Sequence, residues 1–302
     1  MQVCVTVDVH PSDDPTGILR CNDFLVSRSI RATFLISTTS LKKPQTRSAL
    51  EEVRRGRHEL GTHGHTHSQE EIEALNSGTD GKLGFLGTSK SWFENAFGHS
   101  PTSFRSPCWC GLGIPAINEL ARLGYRVDSS ATPQRPGIFS HLPFENPWLF
   151  TSRKPHWLTE GFLEVPTSTL LLPLASPSFA MLRRTSSEFF LTLLMWEARQ
   201  SAKKVLVLSF DSHDFDKDRE YRRSRRGWRQ LVPSKCGGFQ WRYWLRTYKP
   251  HKIFSTLDKL FGLLSGEQFV TLSDFLHQFR LRDKDPSEAL SERGRRASPL
   301  SG

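Results

Sequence analysis

Cysteine is scarce in this chain of 302 residues: there are five, at positions 4, 21, 108, 110 and 236, an odd set without regular spacing. That argues against a disulfide-framed secreted scaffold and fits a reducing compartment. Cys108 and Cys110 are one residue apart, not the two of a zinc knuckle or thioredoxin-like motif, so they read as small loop residues. Long apolar runs are missing too. No stretch reaches the roughly eighteen residues that would span a bilayer, and Met1-Gln2 leads straight into a strand pattern without a basic leader. The expectation is a cytoplasmic protein, peripheral at most to the inner membrane surface. Hydrophobic residues make up only 37% of the chain, yet its apolar segments are well spaced. The length suits one barrel or two modest domains.

Acidic residues are outnumbered, 31 against 41 Lys and Arg, for a formal charge of +10 and a pI near 9.6. Such a surplus suits polyanionic or phosphate-bearing partners, or a membrane surface. It is uneven. Residues 217–252 hold twelve Lys and Arg against Asp218 and Glu220, interleaved with Tyr221, Trp228, Phe239, Trp241, Tyr243, Trp244 and Tyr248. Basic residues mixed with aromatics fit phosphates, lipid headgroups or nucleic acid; the plainer reading is a solvated charged loop. Residues 281–302, with Arg282-Asp283-Lys284-Asp285-Pro286 and Arg293-Gly294-Arg295-Arg296, read as a disordered tail.

What is abundant is alternation. Val3 to Val7 is a β-branched run, followed by Asp8-Val9-His10-Pro11 and the turn chemistry of Ser12-Asp13-Asp14-Pro15. Ile18–Ser29, Arg47–Arg57, Gln69–Leu75, Ser89–Phe97, Ile114–Leu123, Ser186–Ala202, Ile253–Leu264 and Leu272–Phe279 read as helices. Ala32–Ile36, Thr102–Pro107, Tyr125–Ser130, Phe162–Pro166, Val205–Phe210 and Phe269–Thr271 read as strands. Strands alternating with helices predict an α/β fold with a mainly parallel sheet. Polar residues follow one strand after another: Asp8 and His10, the histidines of 63–67, Arg105, Asp128 and His213. Such convergence at strand C-termini is the pattern of a barrel-mouth active site.

The densest signal is His63-Gly64-His65-Thr66-His67. Neutral imidazole is the commonest ligand for a catalytic transition metal. If a helix begins here, His63 and His67 lie one turn apart on one face; the alternative is a polar surface turn. Asp8 and His10, two apart at a strand end, point to one side, unless Asp8 serves an Asx-type turn.

These segments, in this order, resemble the polysaccharide deacetylase family, also known as the NodB homology domain or carbohydrate esterase family 4. Thr6-Val7-Asp8-Val9-His10-Pro11 is similar to its first motif, and Glu59-Leu60-Gly61-Thr62-His63-Gly64-His65-Thr66-His67 to its second. Phe104-Arg105-Ser106-Pro107, Val127-Asp128-Ser129-Ser130 and Val205 to His213 resemble the remaining three. The resemblance implies a distorted (β/α)7 barrel over residues 1–280, with the basic segment 217–252 inserted in it. It also implies a metal-dependent hydrolase that removes an N-acyl group, normally acetyl, from an amino sugar.

One departure counts: an acidic metal ligand is usual where this chain has His10. A three-histidine site of His10, His63 and His67 is expected, suited to Zn2+, with Co2+, Mn2+ or Fe2+ as further candidates. Asp13 or Asp14 as ligand, or a weakened site, are the rivals. The resemblance further implies Asp8 as general base oriented by Arg105, and His213 as general acid aligned by Asp128. Cys108, through its backbone N–H, and Trp109 are the expected substrate contacts. The blander readings are an Arg105–Asp128 structural pair and a core histidine at 213. Expected partners are an amino-sugar glycan, lipid-linked sugar or sugar nucleotide, with peripheral membrane contact through the basic segment and the apolar stretches 170–174 and 179–182; nucleic acid is the least favoured. An allantoinase-like hydrolase of a cyclic amide or ureide, and a non-catalytic glycan-binding barrel, are the competing functions.

Overall fold

The chain begins with its central strand. In the computed structural model, which describes residues 1–78, 82–134, 150–182, 184–201, 205–215 and 250–283, β1 (Gln2–Val9) is buried along its whole length. A strand covered on both faces needs the near-continuous apolar, β-branched sequence found here. Asp14 caps α1 (Pro15–Val26) by accepting from the Thr16 N–H, and Pro15 takes the first helical turn, where no N–H is missed. β2 (Thr33–Ile36), α2 (Pro44–Arg55) and β3 (Glu59–Thr62) follow, then α3 (Gln69–Ser77) and α4 (Gly84–Phe97). Next come β4 (Ser103–Phe104), α5 (Ile114–Arg122), β5 (Val127–Asp128), β6 (His156–Thr159) and β7 (Phe162–Glu164). A hairpin of β8 (Thr169–Leu170) and β9 (Leu172–Pro173) leads to α6 (Ser176–Met181), α7 (Arg184–Arg199) and β10 (Leu206–Asp211). The described chain closes with α8 (Pro250–Leu263), β11 (Gln268–Val270) and α9 (Leu272–Asp283).

The sheet runs β10-β1-β2-β3-β4-β5-β7-β6, with β11 paired to the start of β1 beside β2. All pairings are parallel except β6 with β7. It is the curled α/β sheet of the barrel type that the sequence predicts, and among the described residues its edges at β10 and β6 are not joined. Alternation along β1 sets the layers. Val3, Val5, Val7 and Val9 pack against the helices, with Ile18, Leu25, Leu50 and Leu260. Cys4 instead joins Val127, Leu163, Val207 and the α9 residues Phe275 and Phe279. Thr6 and Asp8 continue the Cys4 side toward the strand C-termini, where the polar residues gather. Residues 216–249 and 284–302 lie outside the described residues, and so do nearly all of the basic segment and the expected tail.

Candidate metal centre and active site

Asp8 is the penultimate residue of β1, and His10 directly follows the end of the strand. His63 follows β3, held by its own N–H to the Ile36 carbonyl and by Ser37 Oγ donating to its carbonyl. His67 comes round to the same place, but not on a helix. Residues 63–68 form a loop between β3 and α3, with Gly64 at φ +70° and His67 at φ +61°. The helical pairing considered from the spacing is therefore replaced by a loop. Gly64 is needed twice: its φ is left-handed, and a Cβ there would sit 2.7 Å from Pro107 Cγ.

What shapes this loop is Glu71. Its carboxylate, buried in the first turn of α3, accepts from the backbone N–H groups of His65 (3.2 Å), Thr66 (2.7 Å) and His67 (2.9 Å). Ser68 caps the same helix by accepting from the Glu71 N–H. Ser68-x-x-Glu71 is thus a capping-box sequence whose acid reaches past the cap into the histidine loop. The sequence signals the cap through Ser68-x-x-Glu71 but not the reach of Glu71 into the histidine loop.

The three imidazoles converge. Ring centroids lie 5.4 Å apart for His10–His63, 4.8 Å for His10–His67 and 5.0 Å for His63–His67, and one donor atom of each falls within 4.8 Å of the others. His63 Nδ1 is 3.2 Å from the Arg105 carbonyl, which can only accept. Nδ1 therefore carries the proton and Nε2 is left as a ligand atom. Burial first, then the neighbouring His67, His10 and Arg105, push the His63 pKa well below the usual value, which keeps it neutral as coordination requires. At His10, burial opposes the charged form, but the Asp13 hydrogen bond and the Asp211, Asp13 and Asp8 charges outweigh it and raise the pKa to about 9. The same carboxylates would favour a cation. His65 turns away, to Thr38 Oγ1 at 2.8 Å and the edge of Trp92.

Beside the imidazoles, Arg105 is fully buried. Its Nη1 donates to Asp8 Oδ1 at 2.9 Å and Ser209 Oγ at 2.8 Å, its Nε to the Ser129 carbonyl and its Nη2 to Ser129 Oγ. The fork pins the carboxylate. Burial raises the Asp8 pKa to about 6 against the opposing pull of Arg105, the range a base needs near neutral pH. Cys108 and Trp109 sit on the 3-10 turn after Arg105, both with positive φ (+57° and +53°). Cys108 Sγ is 3.9 Å from His67 Nε2, and the Arg105 guanidinium lies 5.9 Å from the Trp109 ring centre.

His213, in the turn after β10, stands 5.5 Å from His10, ring to ring. Its expected partner, Asp128, is elsewhere. Asp128 accepts from Ser130 Oγ and stands beside Glu164 of the neighbouring strand, with four strands between β5 and β10 in the sheet. Asp13 holds His213 instead. Asp13 Oδ1 lies 3.2 Å from His213 Nδ1, while Oδ2 accepts from the His10 N–H at 2.8 Å and Ser212 Oγ at 2.6 Å, with His10 Nδ1 at 3.4 Å. Asp211 Oδ2 stands 3.3 Å from His213 Nε2. Asp13, weighed from the sequence as a rival ligand, is the carboxylate behind two of the histidines. The sets His10-Asp13-His213 and Asp211-His213-Asp214 also have donor atoms within 4.8 Å, but their contacts are largely to one another. The His10-His63-His67 set fits a metal best: three imidazoles of small spacing, one with its proton placed away from the centre and one backed by a carboxylate.

Residues 2–127 match the model of the family described as Polysaccharide deacetylase. Among solved structures, a putative polysaccharide deacetylase from Mycobacterium smegmatis is similar at 13% identity and a TM-score of 0.59, over 94% of this chain and 92% of that one. A chitin deacetylase from the fungal pathogen Colletotrichum lindemuthianum is similar at 16% identity and TM-score 0.48, over 95% and 89%. A family 4 pseudoenzyme from Bacillus anthracis is similar at 10% identity and TM-score 0.46, over 91% and 65%. No curated protein sequence matches.

Proposed function

We propose that this chain, whose residues 2–127 match the polysaccharide deacetylase family model, is a metal-dependent hydrolase that removes an N-acetyl group from an amino sugar. The observation that carries this reading is the pairing of Asp8 and Arg105 at 2.9 Å beside the three converging imidazoles. His10, His63 and His67 would hold a divalent metal, Zn2+ foremost. When bound, such an ion polarises the amide carbonyl and acidifies water.

The chain's own groups then divide the proton work. Asp8, its orientation fixed by Arg105, takes a proton from the attacking water. His213, set by Asp13 and Asp211, gives a proton to the departing nitrogen as the carbon–nitrogen bond breaks. The products are acetate and the free amine; Asp8 and His213 return to their starting states by releasing and regaining one proton. The Cys108 N–H is the proposed donor to the oxyanion, and Trp109 the proposed wall for the sugar ring. Residues 1–280 act in this reading as one unit. The basic, aromatic composition of 217–252 supports a phosphate-bearing form of the sugar, lipid- or nucleotide-linked. The cysteine usage supports a cytoplasmic setting, and no described helix is long and apolar enough to cross a membrane.

Zinc-loaded protein incubated with a pentamer of N-acetylglucosamine tests the reading. We expect acetate release that stops on chelation and falls about a hundredfold or more in Asp8→Asn, with zinc still bound. Asp8→Asn turning over at the wild-type rate would sink it, as would stoichiometric zinc without acetate release from the pentamer, from peptidoglycan fragments or from a nucleotide-linked sugar.

A further inference from the structure

Asp128 and Glu164 form a buried acidic feature outside the proton work just described. They are register partners at the ends of β5 and β7, 0% and 1% exposed. One oxygen of each has a donor: Asp128 Oδ1 accepts from Ser130 Oγ at 2.6 Å, and Glu164 Oε1 from the Ala131 N–H at 3.1 Å. The other two, Asp128 Oδ2 and Glu164 Oε2, are buried without a partner among the described residues, on side chains that leave neighbouring strands at register positions and lie close enough for each to act on the ionisation of the other. Ionised carboxylates only accept, so these two oxygens can satisfy each other only with a proton on one.

The surroundings support one proton rather than none or two. Arg105, just after β4, is the cation that favours ionisation of the pair. The Cys110 thiol beside Asp128 is kept protonated, chiefly by burial. His156, opposite Glu164 on β6, turns Nδ1 to the Lys154 carbonyl at 3.0 Å. From α9, Phe275 and Phe279 pack beside Val127 and Leu163 and bring no charge. Arg105, whose direct partner is Asp8, reaches the pair only through its charge, while burial and mutual repulsion resist a second negative charge.

We propose that Asp128 and Glu164 share a single proton at neutral pH, and that this half-ionised pair positions the Ser106–Cys110 loop. The route is short. Ser130 Oγ, committed as donor to Asp128, accepts from the Ser106 N–H at 2.8 Å, and Ser106 Oγ donates to the Cys110 carbonyl at 2.7 Å. Between those anchors lie Cys108 and Trp109, whose left-handed backbones persist only with outside support, and Cys108 faces His67. Asp128 is thereby a positioning residue with Glu164 as its partner, in place of the alignment of His213 expected for it. The loop's part in hydrolysis rests on the deacetylase reading; the shared proton does not.

Infrared spectra of the full chain at pH 7 test the proton directly. The wild type should show a protonated-carboxyl band that both Glu164→Gln and Asp128→Asn remove. Melting curves give a second readout. The folded pair keeps a proton that an unfolded glutamate, with its ordinary value of 4.5, loses. Wild-type stability therefore declines as pH rises through that window, and Glu164→Gln should gain in Tm relative to wild type between pH 5 and pH 8. A band unchanged by both variants, or a Tm difference independent of pH, overturns the shared proton. For the loop, Glu164→Ala should lower kcat on the pentamer about tenfold or more with KM nearly constant, and Glu164→Gln should recover most of it. Undiminished kcat in Glu164→Ala overturns the positioning role. Wild type inactive on every substrate overturns the deacetylase reading instead, while the infrared and melting results still decide the proton.

Discussion

Glu71→Gln isolates what holds the histidine loop in place. The carboxylate takes three backbone N–H groups, two on Oε2 and one on Oε1, at a position 4% exposed. Glutamine is the same size but offers one acceptor and one NH2, so whichever way it is turned, a donor faces a donor. Hydrogen bonds to a charged group contribute roughly 1.5–3 kcal/mol each, and a buried N–H left without a partner costs about 1–3 kcal/mol. Losing one or two of the three should cost about 2–4 kcal/mol. In a domain of this size that lowers Tm by roughly 3–7 °C. The loss bears on the site as well, because His67 reaches the other imidazoles only through this loop. Outer partners of metal ligands typically govern affinity by about 10–100-fold, so zinc should bind that much more weakly to Glu71→Gln. Competition with a chromophoric chelator measures affinity, and calorimetry with and without chelator measures stability. A variant with wild-type zinc affinity and wild-type Tm would show that the loop is held by something other than Glu71.

Two further expectations concern His58, ahead of that loop, and Gly64 within it. His58 Nδ1 accepts from the Ala32 N–H at 3.0 Å, and burial, with the nearby Arg31 charge, depresses its pKa from 6.5 to about 4. The unfolded chain binds this proton first, so the associated stability is present above pH 6.5 and is lost as pH falls toward 4, by at most about 3 kcal/mol. His58→Asn, which can still accept from Ala32, should flatten the acid-side decline of Tm, and an equally steep decline in the variant would refute the assignment. Gly64→Ala puts a Cβ at φ +70°, 2.7 Å from Pro107 Cγ and 3.0 Å from Glu71 Oε2. It should destabilise by about 1–3 kcal/mol and weaken zinc binding, and an unaltered melting curve would contradict it.

Long, β-branched and fully buried elements such as β1 and β10 were legible because period and composition agree in them. β3 does not read as a strand from sequence, since Glu59-Leu60-Gly61-Thr62 carries a charge and a glycine, and its burial comes from β2 and β4 rather than from its own composition. β6 and the β8–β9 hairpin are too short for alternation to register. At the site, the order of the strand ends delivered Asp8, His10, Arg105 and His213 to one region, because in a parallel sheet the C-termini share an edge. Period alone could not say which carboxylate meets which imidazole. Asp128 and Asp13 are equally plausible partners for His213 on paper; only the turn at 10–13, closed by the Asp13 N–H on the His10 carbonyl, brings Asp13 across.

That turn bears on the position where this chain departs from the family resemblance. A carboxylate ligand would bring one negative charge directly to a metal. His10 brings none, but Asp13 stands directly behind it, with Oδ2 3.4 Å from His10 Nδ1. The charge stands one residue contact further out rather than absent, and an imidazole backed by a carboxylate is a stronger donor than one alone. The same Asp13 holds His213 through its other oxygen. A substitution that returned an acid at position 10 would therefore have to coexist with Asp13 in a buried space. Two like charges there would raise the pKa of one of them, and Asp13 would be drawn away from His213. The histidine at position 10 and the aspartate at 13 are best understood as one unit, the imidazole facing the centre and the carboxylate backing both it and His213.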